Sequence, residues 1–547
     1  MHFTEKVFYV VLSLIGIFPL PCFADAVSPT KAAQDSYLTQ QPNILLIVAD
    51  DLGLLDLGYM GSEIKTPNLD QLAQSGTILR NFYTAPTCSP TRSMLLSGTD
   101  HHIAGLGDMA ETSSAGTKKH PGYEGYLNHQ VTSLATRLQR NGYQTFMTGK
   151  WHLGYDQGQR PAHRGFDKSF ALLNGAASHF AHGKMLIPGR PPQYLEDDRP
   201  ISLPDNFYST TSYTDKMLDY IDAATEQEKP FFAYLSYTAP HWPLQVPDNA
   251  RDLYQGQYDG GYDRVRNHRI SEAQKRGHLP QGVRPAPLPS DAAPWDKVPP
   301  LLQKRSARQM EIYAAMVDVM DQQIGRVIAG LAKNGQLDNT VIIFMSDNGP
   351  EGGPVTKYLK VEKWVDQAFD SSYDKIGTVA SYDFYSRGWA AASAGLDRHY
   401  KGSTYQGGIH APAFITLPGQ QGRLKNVSSV THVKDLYATI LDLAHIELSV
   451  EQASRLQSRS LVPLLTQKNG TLEDSPQGWE LRGNQAMRSG EWKLVKTQRG
   501  PWQLFNLARD PGETNDLSEN EPEKLSQLLQ DWQKYVVQNG ILTPSND

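Results

Sequence analysis

A chain of 547 residues with 52 lysines and arginines against 58 acidic residues carries a formal charge of −6, with both signs mixed along its length. That balance has no basic patch and excludes nucleic acid as the expected partner, while a mature chain of about 520 residues is long for one core and favours a large domain with a smaller one. Of its two cysteines, Cys22 and Cys88, the first falls in an expected leader, so disulfide stapling is excluded as well.

The N-terminus has a short polar start with one lysine, Lys6, ahead of an apolar run from Val7 to Phe18. That run is too short for a bilayer, which takes about 20 residues. Ala24 and Ala26 have the spacing a signal peptidase accepts. Residues 1–26 are therefore expected to be a Sec-type signal peptide, cut after Ala24 or Ala26, placing the mature protein in the periplasm or outside the cell. No later run suggests a membrane span.

Four segments then share one pattern, an apolar run that stops abruptly at polar residues. Ile44–Ala49 leads into Asp50 and Asp51, Gln144–Thr148 into Lys150 and His152, Phe231–Tyr237 into His241, and Val341–Met345 into Asp347 and Asn348. Such runs suit strands buried on both faces of a parallel sheet. Helical segments lie between them. One is 133–143, stopped by Asn141-Gly142. Another begins at Glu311, with Ile312, Met316, Val319, Met320, Val327, Ile328 and Leu331 on one stripe and a stop at Asn334-Gly335. The expected fold class is α/β, a large, mostly parallel central sheet sandwiched by helices. Ligands of such sheets bind beyond the carboxyl ends of the strands, so the four polar clusters can converge. Residues 245–305, rich in Pro, Gly, Arg and Asp, are expected as a surface excursion within a catalytic domain over 27–455. In the portion 456–547, turn signals at 489–491, 499–501 and 509–513 split short strands ahead of an amphipathic stretch, 521–538. That pattern predicts a smaller antiparallel sheet plus a helix.

Asp50, Asp51, Asp347 and Asn348 offer three carboxylates and one amide oxygen. Four oxygen ligands without cysteine suit a hard cation, Ca²⁺ or Mg²⁺. Turn chemistry accounts for either pair alone; two pairs that both follow buried strands favour a metal. Lys150 and His152, two apart, share a face of an extended segment. His241 is stiffened between prolines, and Lys401 precedes a Gly-rich turn. Gathered around a cation, these side chains would clamp a tetrahedral oxyanion, sulfate or phosphate. Cys88 alone reads as a buried small apolar residue or as a thiol nucleophile with a histidine base. Neither accounts for Pro90 and Arg92 beside it.

With those flanks, CSPTRSMLLSG (88–98) resembles the first signature of the type I sulfatases of the alkaline phosphatase superfamily, C-x-P-S/T-R. GYQTFMTGKWHLG (142–154) resembles their second, G-Y-x-T-x-x-x-G-K-x-H. The resemblance covers nearly the whole mature chain and looks closest to bacterial arylsulfatases, notably in SGTDHHIAGLG (97–107). It implies that a formylglycine-generating enzyme oxidises Cys88 to formylglycine (3-oxoalanine) before the chain folds. It also implies one divalent cation, Ca²⁺ with Mg²⁺ second, held by Asp50, Asp51, residue 88, Asp347 and Asn348. The implied reaction cleaves a small-molecule aryl sulfate to a phenol and inorganic sulfate. One hydroxyl of the hydrated aldehyde would attack sulfur, steadied by Arg92. Lys150 and Lys401 would bind the sulfate oxygens, and His241, helped by Lys401, would serve the leaving oxygen. His152 would take the proton of the second hydroxyl so that sulfate is expelled. A phosphonate monoester or phosphodiester hydrolase shares this scaffold, and a sulfated-polysaccharide sulfatase would share the motifs. Four positions depart from the family pattern: Ser97 for Thr, Thr148 for a smaller or apolar residue, Gln406 for an acidic one, and His410 for Arg. The last two are expected to alter the pocket wall.

Overall fold

The computed structural model describes residues 41–542 apart from 115, 228, 354, 420–424 and 468; the expected signal peptide lies outside the described residues. Among these, ten strands form one sheet: β1 Asn43–Ala49, β2 Thr77–Tyr83, β3 Gln144–Lys150, β4 Lys168–Leu172, β5 Tyr194–Glu196, β6 Arg199–Pro200, β7 Phe231–Ser236, β8 Thr340–Ser346, β9 Ala413–Thr416 and β10 Lys425–His432. Their order is β10-β2-β9-β8-β1-β7-β3-β4-β5-β6. Pairing is parallel at β10/β2, β8/β1, β1/β7, β7/β3 and β3/β4. It is antiparallel where β9 sits between β2 and β8, and at the β4–β5–β6 edge. Every residue of β1, β7 and β8 is buried, as the unbroken apolar runs require of strands covered on both faces. One helical group, Pro67–Gln74, Ser209–Thr225 and Pro300–Lys333, packs together, and Cys88–Ser97, Leu134–Arg140 and Asp435–Leu443 make a second.

The register aligns the strand ends. Ala49 pairs with Ser346, Val48 with Ser236, and Ser236 with Gly149. Asp50, Asp347 and Lys150 therefore leave the sheet at one level. Strand β3 runs through Gly149 to Lys150, past the expected end at Thr148. At Gly149, φ is +109° and an added Cβ would lie 1.8 Å from the Ser236 carbonyl oxygen. Glycine is what lets the two backbones touch there.

Two expectations change. The stretch 245–305 is not simply a surface excursion: it carries a helix, Gly261–Lys275, and Tyr254, Tyr258 and Arg269 within it are buried. The buried Arg269 is partnered by Asp56 and Glu63, so a polar composition hides an ion-paired core position. The Pro-rich part, about residues 281–299, is mostly exposed. The long helix starts at Pro300, ahead of Glu311; its first turns are mostly exposed, Leu301 and Leu302 included, and lack the apolar stripe that marks the rest. Elsewhere, Ser133 caps the helix Leu134–Arg140 by accepting from the Thr136 amide.

In the C-terminal portion, Gln477–Leu481 (β11), Asn484–Ser489 (β12), Trp492–Lys496 (β13) and Trp502–Asn506 (β14) form an antiparallel sheet in sequential order. The helix Pro522–Asn539 covers one face, with Leu528, Trp532 and Tyr535 against Met487, Leu494 and Leu504. The other face places Trp479, Ala486, Val495 and Phe505 in one core with Tyr83, Tyr405 and Ile409. No helix among the described residues is long and apolar enough to cross a membrane.

Candidate active site

The four central strands, β8, β1, β7 and β3, deliver Asp347-Asn348, Asp50-Asp51, His241 and Lys150-His152 to one end of the sheet. Cys88 arrives separately, as the first residue of the helix Cys88–Ser97, which is buried throughout. Cys88 Sγ lies 3.4 Å from Asp50 Oδ1 and 3.9 Å from Asp51 Oδ1. One turn on, Arg92 donates to Asp347 Oδ2 through Nε at 2.9 Å, with Nη2 in ion-pair contact with the same oxygen at 2.8 Å, and donates through Nη1 to the Lys150 carbonyl at 3.1 Å. Lys150 Nζ donates to Asp50 Oδ2 at 2.7 Å. Lys401 Nζ spans both oxygens of Asp51 at 2.8 and 2.9 Å, and Asn348 Nδ2 donates to Asp51 Oδ1 at 2.7 Å. His241 Nε2 is 3.5 Å from Asp51 Oδ2, and its Nδ1 donates to the Trp242 carbonyl at 2.7 Å. All ten residues singled out in the sequence are thus at one place; His152 joins through the cavity it lines with Cys88, His241 and Lys401.

Burial makes these charges consequential. It opposes ionisation of Asp50, yet Lys150, His241 and Arg92 outweigh it and hold the carboxyl far below its usual range. Asp347 goes the other way: burial and the neighbouring Asp50 push it up to about 6. Burial also lowers Lys150 and Lys401, but Asp50 and Asp51 respectively overcome it and keep both ammonium groups charged. Burial and Asp347 drive the Cys88 thiol well above its ordinary value, so the protein's own charges leave it a poor thiolate nucleophile. Burial takes His241 down to about 3, with Lys401 adding to the effect.

The donor set fits a hard cation. Ligand atoms of Asp50, Asp51, Cys88 and His241 lie within 4.8 Å of one another. The carboxylates of Asp50, Asp51 and Asp347 are buried together, and Asn348 Oδ1 is buried without a protein partner. An oxygen-rich set with an orphaned carbonyl oxygen is the chemistry of Ca²⁺ or Mg²⁺ sites.

Comparison with known proteins decides the family. The sulfatase family model matches residues 42–446. The chain belongs to the sulfatase family. An uncharacterized sulfatase of Schizosaccharomyces pombe is 40% identical over 538 residues, covering 93% of this chain and 96% of that one. An arylsulfatase of Klebsiella aerogenes is 38% identical over 411 residues, 75% of this chain and 88% of its own. A solved structure, Ps i-CgsB in complex with k-i-k-neocarrahexaose, superposes with a TM-score of 0.65 at 26% identity, covering 91% of this chain and 93% of that one. Membership supports sulfate ester hydrolysis as the activity of this sulfatase.

Some residues of the site carried no signal in the sequence. Glu111, in a polar loop, reaches His152; Glu351 lies 3.7 Å from Lys401; and Ser236 receives Arg92 Nη1 at 2.5 Å. Trp242, next to His241, lines the cavity. Gln406 and His410 do not line this cavity. Gln406 binds Tyr83 and Lys493, and His410 binds Asp397 and the Arg80 carbonyl. Both face a separate cavity of about 510 Å³, so these departures change the seam with the C-terminal sheet and leave the catalytic pocket alone.

Proposed function

We propose that this sulfatase hydrolyses aryl sulfates, with residue 88 working as formylglycine and one Ca²⁺ as the metal, Mg²⁺ being the second choice. The observation that carries this reading is the charge arithmetic of the cluster. Asp50, Asp51 and Asp347 face Arg92, Lys150 and Lys401, so the protein groups nearly cancel. A divalent cation on Asp50, Asp51, residue 88, Asp347 and Asn348 would leave a net positive site for an anion. When bound, that ion supplies Lewis-acid stabilisation of charge on the sulfate oxygens. Formylglycine, as its hydrate, supplies one hydroxyl for attack at sulfur and a second for the release of sulfate.

The chain's own residues do the rest. Lys150 and Lys401 bind sulfate oxygens and offset charge in the transition state. Arg92 orients Asp347 and steadies the attacking oxygen of residue 88. His241 gives a proton from Nε2 to the leaving oxygen. His152 takes the proton of the second hydroxyl. A formylglycine-generating enzyme acts on Cys88 before folding, before or during export, since Cys88 is 1% exposed in the folded chain.

The pocket favours an aryl ester. Beside Cys88 a cavity of about 100 Å³ sets Met109, Ala177, Leu186, Ile187 and Trp242 against polar groups that include Glu111, Asn174, Lys184 and Arg190, and its apolar side suits a phenyl ring. A sulfated polysaccharide is the second reading. A cavity of about 820 Å³ shares Met109, Glu111 and Lys401 and adds Lys360 and Arg482, and Ps i-CgsB was solved with a neocarrahexaose. Steady-state kcat/KM for phenyl sulfate, phenyl phosphate, a phosphonate monoester and a sulfated oligosaccharide tests the assignment. Phenyl sulfate is expected to be turned over best. Preference for the phosphorus esters would overturn the reading, and preference for the oligosaccharide would replace its substrate class.

A further inference from the structure

We propose that Glu111 is a positioning residue that fixes the tautomer of His152 and makes Nδ1 its proton-accepting nitrogen. The inference rests on the assignment of His152 as the base that accepts the second proton. His152 Nε2 lies 3.1 Å from Glu111 Oε2, and the Tyr155 hydroxyl donates to the other oxygen, Oε1, at 2.7 Å. An ionised carboxylate can only accept. Nε2 must therefore carry the hydrogen, and in a neutral ring the lone pair is on Nδ1.

That nitrogen is the one left over. His152 Nδ1 is buried without a protein partner, on a side chain 5% exposed that lines the cavity beside Cys88. The backbone at His152 has φ +56°, a left-handed conformation uncommon for residues other than glycine. Such outliers persist where the surroundings over-determine a side chain's position. Burial lowers the imidazole's proton affinity, with Lys150 and Arg92 adding to it and Glu111 opposing, so the ring stands ready as a neutral base. Once Nδ1 accepts a proton the ring is an imidazolium ion-paired with Glu111, and it returns the proton to solvent after sulfate has gone. Glu111 does not touch the ester; it acts through the ring, as carboxylates paired with a functional histidine commonly do.

Two measurements test this on the metal-loaded, matured enzyme. Selective ¹⁵N-histidine labelling, with His152→Gln to assign the signal, is expected to show the proton on Nε2 in the wild type and redistribution toward Nδ1 in Glu111→Gln. In steady state, Glu111→Gln should lower kcat about 10–100-fold, the usual size of a lost supporting partner, with KM little changed and the first release of phenol as fast as in wild type. Tyr155→Phe, which loosens the carboxylate without removing it, should give a smaller loss in the same direction. An unchanged tautomer, or wild-type kcat in both variants, would overturn the proposal. His152→Ala separates the two levels. If it turns over normally, the base assignment fails and the role of Glu111 with it. If it is slow while Glu111→Gln is not, only the role of Glu111 fails.

Discussion

In the proposed reaction His241 has to gain a proton before it can give one. Its Nδ1 hydrogen is committed to the Trp242 carbonyl, so Nε2 is the working nitrogen, and burial with Lys401 holds the ring neutral, its pKa taken down to about 3. A sulfate ester brings negative charge against Lys150 and Lys401 and relieves that pressure. The value of the proton then depends on how badly the leaving oxygen needs it. Nitrophenol departs as a stable anion, whereas phenol and simple alcohols do not. General-acid catalysis contributes roughly 10²–10⁴-fold, so His241→Ala should slow nitrophenyl sulfate modestly and phenyl or alkyl sulfates severely. The plot of log rate against leaving-group pKa should steepen in the variant. Parallel plots would show that His241 only holds the sulfate. At this scale the sequence was informative because Asp50, Asp51, Lys150, His241 and Asp347 each follow an apolar run. Glu111 follows none, and a lone acid in a polar loop looks like any solvated residue until His152 is folded against it.

At the scale of elements, the parallel register turns four distant segments into one site. Gly149 is where that register is most exacting. With φ +109° and the Ser236 carbonyl 1.8 Å from any added Cβ, Gly149→Ala must push β3 away from β7. Lys150, whose carbonyl takes bonds from Arg92 and from Ser236 Oγ, would move with it. A displacement of about 1 Å at a catalytic group can cost on the order of 100-fold in rate. Gly149→Ala is therefore expected to lose about that much kcat on nitrophenyl sulfate and to unfold at lower urea. Wild-type rate and midpoint would contradict the close-approach argument. Only the four central strands, β1, β3, β7 and β8, were visible in sequence from their apolar runs, and the end of β3 was not, since a glycine inside a strand looks like its terminus. The helix Gly261–Lys275 was hidden for a different reason: its buried Arg269 is paid for by Asp56 and Glu63, a compensation no local pattern displays.

At the scale of the whole molecule, the C-terminal sheet and the catalytic sheet are joined by polar as well as apolar contacts. His102 is buried between Asp100 and Glu480, and Tyr535 of the last helix donates to Asp100 at 2.6 Å. Burial resists charge on His102, but its bonds to Asp100 and Glu480 prevail and raise it to about 9. The motif around His101 and His102 marked kinship in the sequence, and its place in the fold is this seam. Three of the four C-terminal strands were legible from their turns, while β11 preceded the first turn signal and was missed. All of this framework serves to hold residue 88 against the carboxylates of Asp50 and Asp51, and the chemistry claimed there is decided by what residue 88 is. The direct measurement is the mass of the peptide carrying residue 88, taken from active enzyme made in a host that has the formylglycine-generating enzyme. The account predicts an aldehyde at that position, reactive toward hydrazide probes and inert to thiol alkylation. A fully active preparation whose Cys88 is an unmodified thiol would contradict it.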